Sequence, residues 1–274
     1  MKLAIITTVY NRKEKTRKAI ESIVSALDGM ELEYKFYICD DGSNDGTAEY
    51  LYSFGDVISV IKGSGDLFWS RGMYQAMNLA VKDRSDLYLM INDDVEFFPT
   101  VIKVMLESYY QAKTHCGIVG STKGLITDKI TYGGRRVSNK ALIYPNGELQ
   151  SCELTNWNCF LIDHYVAENV GLIDNFYEHA LGDFDYSLRM NKQRIPVYVA
   201  VDYIGRCDTN SKSGTYHDKK VPRKKRFAAM ISRRNMPIKS RWHYYIKNFG
   251  IKGIKDFIWP YIKCSAYILL GKDY

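Results

Sequence analysis

The fold is decided by the stretch LYLMINDDV, residues 87–95, in which an uninterrupted apolar run ends in two adjacent carboxylates. Such a run is typical of a buried strand in a parallel sheet. Open α/β sheets bind ligands at the carboxyl ends of their strands. Asp93 and Asp94 supply two hard oxygen ligands there, which suit Mg²⁺ or Mn²⁺ ions that hold substrate phosphates. The stretch alone leaves a simpler alternative open, in which Asp94 caps a helix following Pro99.

Strands and helices alternate on both sides of this stretch through about residue 121. Strands are predicted over residues 2–10, 34–39, 57–61, 87–91 and 116–121, and helices over 13–28, 48–54, 70–83 and 99–113. This alternation predicts a doubly wound, mostly parallel sheet. The chain lacks a GxGxxG fingerprint after the first strand and a GxxxxGK[ST] loop, which disfavours dinucleotide dehydrogenases and P-loop enzymes.

The second half of the chain has a different pattern. Residues 130–137 and 141–149 alternate around Ser138 and Asn139, which predicts a hairpin. Residues 154–162 and 196–204 are predicted strands. Helices are predicted near 163–170 and from about Asp183. Residues 205–222 are polar, contain His217 and predict a loop.

Length and composition restrict the class of protein. The 274 residues can form one large domain, or one domain with an appendage. No apolar stretch is long enough to span a membrane, and the first residues lack a signal-peptide cleavage pattern. The six cysteines show no CxxC pair or metal-ligand spacing, so reduced thiols in a cytoplasmic protein are expected.

Charge is concentrated at the end of the chain. Residues 206–274 hold 17 Lys and Arg against 4 Asp and Glu, a net charge of +13, so with +7 for the whole chain the first 205 residues carry −6. The segment 223–274 is basic and aromatic, and a helical extension is predicted there. It could contact a membrane surface, form a solvated helical subdomain, or join a homodimer. Nucleic-acid binding is disfavoured, because no recognisable motif accompanies the charge.

Four motifs, in this order along the chain, resemble the inverting glycosyltransferases of family 2. They are TTVYNR (7–12), CDDGSNDGT (39–47), NDD (92–94) and GDFDYSLR (182–189). The resemblance covers about residues 1–205 and implies an α/β GT-A fold, Rossmann-like, with a mostly parallel central sheet and flanking helices. It implies a glycosyltransferase domain over 1–222, with a nucleotide-binding half (1–121) and an acceptor half (122–222), followed by the basic helical C-terminal extension 223–274.

The resemblance also implies roles for individual residues. Asp183 matches the catalytic base, and Asp94 matches the ligand of a Mn²⁺ or Mg²⁺ ion on the donor diphosphate, with His217 as a second candidate ligand. Contacts with the nucleotide are implied for Thr8, Tyr10, Arg12, Asp41, Arg71 and Asp93. Contacts with the donor or acceptor sugar are implied for Asp66, Trp69, Trp157, Asn158 and Asp185.

Several of these residues have simpler alternatives. Asn92 replaces the first Asp of the usual DxD motif, and Gly182 replaces the Glu of the usual Glu-Asp pair. Asp183 could be a helix cap, and Asp41 could belong to an Asx turn. Trp69 and Trp157 could pack in the core, and His217 could lie on the surface.

The chemistry of glycosyl transfer fits the implied roles. A divalent metal neutralises the leaving diphosphate, and a positioned carboxylate accepts the proton of the attacking hydroxyl. The sequence therefore predicts a metal-dependent hexosyltransferase that uses a UDP- or dTDP-sugar. Its acceptor would be a glycan or a lipid-linked molecule in surface polysaccharide synthesis, at the inner face of the plasma membrane.

Two other functions are weighed against this prediction. A sugar-phosphate nucleotidylyltransferase would carry a Gly-rich basic loop after the first strand, where this chain has TVYNR (residues 8–12). A non-catalytic nucleotide-sugar binding protein would not depend on Asp183.

Overall fold

The computed structural model describes residues 1–270, and its centre is a ten-stranded mixed sheet. The strands are β1 (Lys2–Val9), β2 (Glu33–Asp40), β3 (Ile58–Lys62), β4 (Leu87–Ile91), β5 (Glu96–Phe97), β6 (Gly117–Lys123), β7 (Ile130–Tyr132), β8 (Gly134–Arg135), β9 (Gln150–Ser151), β10 (Leu154–Thr155), β11 (Cys159–Asp163) and β12 (Val197–Arg206). The helices are α1 (Lys13–Leu27), α2 (Thr47–Tyr52), α3 (Phe68–Lys82), α4 (Val101–Ala112), α5 (His164–Val170), α6 (Gly182–Lys192), α7 (Arg223–Met230), α8 (Ile238–Phe249) and α9 (Gly253–Leu270).

The main path through the sheet runs β3-β2-β1-β4-β11-β6-β12-β5. Its first four strands are parallel, as the alternation of strands and helices predicts. β11 is antiparallel to both β4 and β6, whereas β6 and β12 are parallel. The sheet is therefore mixed, and its parallel first half continues into a second half of alternating direction.

The apolar strands are buried on both faces. Along β4, Leu89 and Ile91 join a core with α1 and α4, whereas Tyr88 and Met90 join a second core with α3, α5 and α6. Successive side chains of a strand point to opposite faces. Both faces are covered, which explains why the run has no polar alternation.

The second half differs from the prediction between residues 130 and 162. The predicted hairpin is much shorter than expected, because residues 141–149 form no strand. Arg135 of β8 forms an antiparallel bridge with Leu142, and the Ile143 amide donates to the Gly134 carbonyl. The predicted strand 154–162 is divided in two. β10 pairs with β8 in a separate two-stranded sheet, while β11 enters the main sheet. Pairing between distant segments overrode the local alternation here.

The C-terminal segment is helical, as predicted. α8 packs against the body, where Tyr244 and Tyr245 share a buried cluster with Tyr177 and Leu188. In α9, Ile268 is buried with Met230 and Met236. Within residues 1–270, no helix is long and apolar enough to cross a membrane. All six cysteines are free thiols.

Candidate functional site

The carboxylates after β4 lie beside the start of α1. A guanidinium nitrogen of Arg12 is 3.4 Å from Asp93 and 3.3 Å from Asp94, and the Thr16 hydroxyl donates to Asp93 over 3.2 Å. Burial raises the pKa of Asp93 to about 6, although the charge of Arg12 opposes the shift. The structure thus brings Arg12, Asp93 and Asp94 together.

Asp94 has the more accessible carboxylate of the two. Its side chain is 20% exposed, against 8% for Asp93. The helix-cap alternative for Asp94 is wrong, because α4 begins only at Val101 and no side chain caps it. The Cys207 thiol lies 3.8 Å from the Asp94 carboxylate, and burial raises the pKa of that thiol to about 12. Asp94 is therefore free of a capping role and available at the sheet edge.

Asn92 connects the same edge to α3. The indole N–H of Trp69 donates to the Asn92 side chain over 2.8 Å, and the Asn92 amide donates to the Asn158 carbonyl. Trp157 and Asn158 are buried, and Trp157 packs between Phe160 and Tyr186. Only Trp69 of these two tryptophans keeps exposed surface, so burial of Trp157 favours the packing alternative for that residue.

Asp41 organises the loop that precedes α3. Its carboxylate accepts hydrogen bonds from the amides of Gly65 at 2.8 Å, Leu67 at 2.9 Å and Phe68 at 3.1 Å. Phe68 has a φ of +60°, a strained value for a bulky residue. The turn at the end of β2 is closed instead by Asp40, which accepts from the Ser43 amide. Asp41 therefore fixes the loop that carries Asp66 and the start of α3, where Trp69 lies.

The end of β1 lies under the first turn of α3. The Thr8 hydroxyl donates to the Cys39 carbonyl over 3.0 Å. A Cβ atom at Gly72 would lie 2.1 Å from this hydroxyl, so only glycine lets the helix approach so closely. Thr8 is half-buried and Tyr10 is exposed at the rim.

Charged side chains join α3 to the segment that precedes α6. Arg71 contacts Glu178 at 3.4 Å and the Asn175 carbonyl at 3.2 Å. Arg233, from the connection between α7 and α8, lies 2.6 Å from Asp66 and 3.2 Å from Glu178. The C-terminal segment therefore reaches the loop before α3.

Asp183 lies in the first turn of α6. It accepts a hydrogen bond from the Phe184 amide at 2.9 Å and further ones from the Asn156 side chain and the Trp157 backbone. These bonds favour its charged form, but withdrawal from water outweighs them and raises its pKa to about 6. Leu181 occupies the N-cap position and no side chain caps the helix, so the cap alternative for Asp183 is wrong.

The start of α6 adjoins the first turn of α3. The Ser70 amide donates to the Glu178 carbonyl over 3.0 Å, and its hydroxyl donates to the His179 carbonyl over 3.3 Å. A Cβ atom at Gly182 would lie 2.9 Å from the Ser70 hydroxyl. Gly182, where the family usually has Glu, thus allows the two helices to meet. The first turn of α3 links Asp41, Asn92 and the segment that carries Asp183.

Asp185 has a different environment from Asp183. It is fully buried and accepts hydrogen bonds from Tyr177, Arg189, Lys247 and Asn248 at 2.8–3.1 Å. Its carboxylate ties α6 to α8. This burial argues against the implied contact between Asp185 and a sugar.

His217 lies on the C-terminal side of the molecule. Its ring is 4.1 Å from the ring of Tyr216 and 5.7 Å from that of Tyr267, and its carbonyl accepts from the Tyr267 hydroxyl. These contacts are to α9 and its neighbourhood rather than to Asp94. The side chains that contact Asp94 are those of Arg12 and Cys207.

The protein side chains available as metal ligands suit an ion that is held partly by the substrate. No group of three or more His, Cys, Asp or Glu side chains within residues 1–270 could bind a metal ion alone. Mg²⁺ and related ions are often held by one or two carboxylates together with substrate phosphates. Asp94, with its accessible oxygens beside Asp93, fits that mode.

Sequence reasoning missed several residues of the site. Asn156 bonds Asp183, and Arg135 donates to Asn156 over 3.1 Å. His179 is half-buried, and its pKa is lowered by burial and by the nearby charges of Arg234 and Arg12. The Asn156-Trp157-Asn158 stretch was the only available signal. Nothing in the basic run of the tail distinguishes Arg233 and Arg234 from their neighbours.

The sequence profile of glycosyl transferase family 2 matches residues 4–184. The chain belongs to glycosyl transferase family 2. The match includes all four motifs at least in part, and it ends at α6 just after Asp183. No curated protein matches the chain significantly.

Solved structures of glycosyltransferases share the fold. A mannosyltransferase from Pyrobaculum calidifontis, in complex with GDP-Man and Mn²⁺, is 12% identical with a TM-score of 0.56, over 98% of this chain and 79% of that one. S. aureus TarS 1–349 with UDP is 14% identical with a TM-score of 0.54, over 77% and 61%. GalNAc-T7 with UDP, GalNAc and Mn²⁺ is 12% identical with a TM-score of 0.54, over 75% and 42%. The α/β fold with a GT-A-like sheet, predicted from the sequence, is confirmed.

Proposed function

We propose that the chain is an inverting glycosyltransferase that moves a sugar from a UDP- or dTDP-sugar to a hydroxyl group of a glycan or a lipid-linked acceptor. Asp183 is the observation that carries this proposal. It lies at the start of α6, beside the first turn of α3, and burial raises its pKa to about 6. A carboxylate with this pKa is ionised at neutral pH, yet is more basic than an ordinary aspartate.

In this mechanism Asp183 accepts the proton of the acceptor hydroxyl. The oxygen then attacks the anomeric carbon from the face opposite the nucleoside diphosphate. A new glycosidic bond forms as the bond from the anomeric carbon to the diphosphate oxygen breaks, which inverts the anomeric configuration. The Asn156 and Phe184 hydrogen bonds hold the Asp183 carboxylate in place during the transfer.

The donor nucleotide is assigned to the edge formed by the ends of β1, β2 and β4. Thr8, Tyr10 and Asp41 would line the base pocket, and Asp93 would contact the ribose. The three amide bonds to Asp41 leave lone pairs on its oxygens for a base N–H group. Arg12 and Arg71 would face the diphosphate, while Asp66 and Trp69 would border the donor sugar.

A Mn²⁺ or Mg²⁺ ion would be held by Asp94 together with oxygens of the donor. When bound, it neutralises charge on the leaving diphosphate. Complexes of GalNAc-T7 and the P. calidifontis mannosyltransferase with Mn²⁺ support this assignment. Arg12 and Arg234, which both lie near His179, would add positive charge from the protein.

The cellular role follows from the same proposal. A cytoplasmic transferase that elongates a lipid-linked or surface glycan would act at the inner face of the plasma membrane, where nucleotide sugars and lipid-linked acceptors meet. The basic C-terminal segment suits that location.

Calorimetric titration with UDP, dTDP and GDP, each with and without Mn²⁺, tests the donor site. We expect UDP or dTDP to bind more tightly with Mn²⁺. Absence of binding by all three nucleotides would overturn the proposal. Tighter binding of GDP would correct the donor class. A donor that binds while no acceptor or water receives its sugar would indicate a non-catalytic binding protein.

A further inference from the structure

The last helix of the described chain is apolar on two opposite faces. Its inner face packs on the body, where Ile268 is buried and Gly253 lies against the Tyr245 backbone. Its outer face also carries large apolar side chains, although they are exposed. We call these residues, with Ile251 from the turn before the helix, the outer stripe: Ile251, Ile258, Trp259, Ile262, Leu269 and Leu270.

The spacing of the outer stripe places its members together. Its five members within α9 follow one another at intervals of one, three, seven and one residues, which places them within about a third of the helix circumference. Ile251 lies in the turn just before the helix. Ile251 is 85% exposed and Trp259 is 60% exposed. Single exposed apolar residues are common on protein surfaces, but a contiguous stripe marks an interaction surface.

Lysines accompany the outer stripe. Lys255 is exposed one turn before Ile258 and Trp259, and Lys252 and Lys263 are exposed beside the stripe. Asp256 is the only acidic residue of the helix. Lysine stems lie along apolar surface while their charged ends remain in water, and tryptophan favours a membrane interface.

We propose that the outer stripe docks the protein on an anionic lipid surface, with α9 lying in the plane of the interface. The helix is unsuited to crossing the bilayer, since none in residues 1–270 meets that requirement. The apolar side chains would enter the interface while Lys252, Lys255 and Lys263 meet anionic headgroups. The net charge of +13 over residues 206–274 adds long-range attraction.

Docking would also orient the proposed catalytic helix. α9 packs on α8, and Lys247 of α8 lies 2.9 Å from Asp185 of α6. The start of α6, with Asp183, therefore has a fixed relation to the docked face. This orientation serves a lipid-linked acceptor and rests on the proposed function, whereas lipid binding itself does not.

Vesicle flotation of the full chain tests the docking directly. We compare vesicles of phosphatidylcholine alone with an equimolar mixture of phosphatidylcholine and phosphatidylglycerol, at low and high salt. We expect binding to the anionic vesicles, weakened by salt. The double variant Trp259→Ser with Ile262→Ser should lower the partition coefficient about tenfold or more, because the buried apolar surface is lost.

A matched control separates the stripe from general surface hydrophobicity. Ile126 is 95% exposed in the loop between β6 and β7, and Ile126→Ser should leave vesicle binding unchanged. The charge-reversal variant Lys255→Glu should reduce binding only to the anionic vesicles. Circular dichroism and urea denaturation of each variant show that the body remains folded.

Three results would overturn the proposal. One is absence of binding to anionic vesicles at low salt. Another is vesicle binding that the Trp259 and Ile262 changes leave intact. The third is a dimer in solution that the same changes dissociate, without lipid binding, which would assign the stripe to a second copy of the chain. If the wild-type chain binds no nucleotide, the proposed function is contradicted, but the proposed lipid docking is not.

Discussion

The sheet edge and the C-terminal helices contribute to the candidate site in different ways. At the edge, Asp41, Asp93 and Asp94 come directly after strands and present their carboxylates to the loop before α3 and to Arg12. The C-terminal segment contacts this site from its periphery. Arg233 pairs with Asp66 in the loop before α3, and Lys247 pairs with Asp185 of α6.

This difference separates two roles. The residues of the sheet edge are proposed to bind the donor, whereas the C-terminal helices hold α6 and the loop before α3 in position. Asp183 and Asp185 are two residues apart on α6, yet Asp183 bonds the Asn156-Trp157 turn and Asp185 bonds α8. One acidic side chain of the helix thus belongs to the proposed reaction, and the other to the support that the C-terminal helices provide.

Replacement of Asp183 gives the sharpest test of this division. Asp183→Asn should lower kcat by about 10²–10⁴-fold, since general-base catalysis contributes that much. Affinity for the donor should be retained. Steady-state transfer rates and nucleotide titration measure both quantities. Full activity in this variant would show that Asp183 is not the base. The proposed difference in role between Asp183 and Asp185 would then be lost.

The pH dependence of the wild-type enzyme tests the same residue independently. Burial raises the pKa of Asp183 to about 6, and the base acts only when ionised. The rate should therefore rise with pH through about 6 and become constant above it. This limb should disappear from the residual activity of Asp183→Asn. A limb that persists in the variant would assign the titration to another group.

Asp94→Ala tests the sheet edge. We expect the Mn²⁺-dependent part of donor affinity to be lost, because a metal ligand is removed, while metal-independent binding remains. Titration with UDP or dTDP in the presence and absence of Mn²⁺ measures the effect. Asp56→Ala, at an exposed position in the turn before β3, is the matched control and should change neither value. Equal Mn²⁺ dependence in both variants would contradict the role of Asp94.

The contrast between the two regions also explains what the sequence could predict. The sheet edge was predictable because its carboxylates come just after strands with a strong apolar pattern. The positions of Asp93 and Asp94 can therefore be read from the neighbouring sequence. The parallel half of the sheet was predicted for the same reason. Trp157 was ambiguous, because its burial depends on Phe160 of β11 and on Tyr186, which lies on α6 almost thirty residues later.

The support from the C-terminal helices was not predictable. Asp185 looked like part of a catalytic motif, and its partners Lys247 and Asn248 are more than 60 residues away in the sequence. The hairpin predicted over residues 130–149 is reduced to a single bridge for a related reason. β8 forms its ladder with β10, and only Arg135 bridges the neighbouring segment, at Leu142. The partners of Asp185 and of β8 come from distant parts of the chain, and the local sequence pattern does not indicate which segments they will be.

Lys247→Met tests the support given to α6. Asp185 is fully buried, so the loss of one cationic partner leaves its charge less well compensated. We expect the free energy of unfolding to fall by about 2 kcal/mol, because Arg189, Tyr177 and Asn248 still bond the carboxylate. Urea denaturation measures the change. Lys239→Met, exposed on the same helix, should have little effect, and an equal loss in both variants would contradict the support role.

Arg233→Ala should have the smallest effect on folding and a selective effect on the donor. Arg233 and Asp66 are exposed to solvent, although Glu178 is partly buried, so the unfolding midpoint should change little. The loop that carries Asp66 and precedes Trp69 would lose its contact with Arg233, and KM for the donor should rise severalfold while kcat changes less. Arg233→Lys keeps the charge but loses the forked geometry that spans both carboxylates, so an intermediate KM is expected. An unchanged KM in Arg233→Ala would confine the C-terminal helices to supporting α6, and the loop would then be held by Asp41 and the start of α3 without help from Arg233.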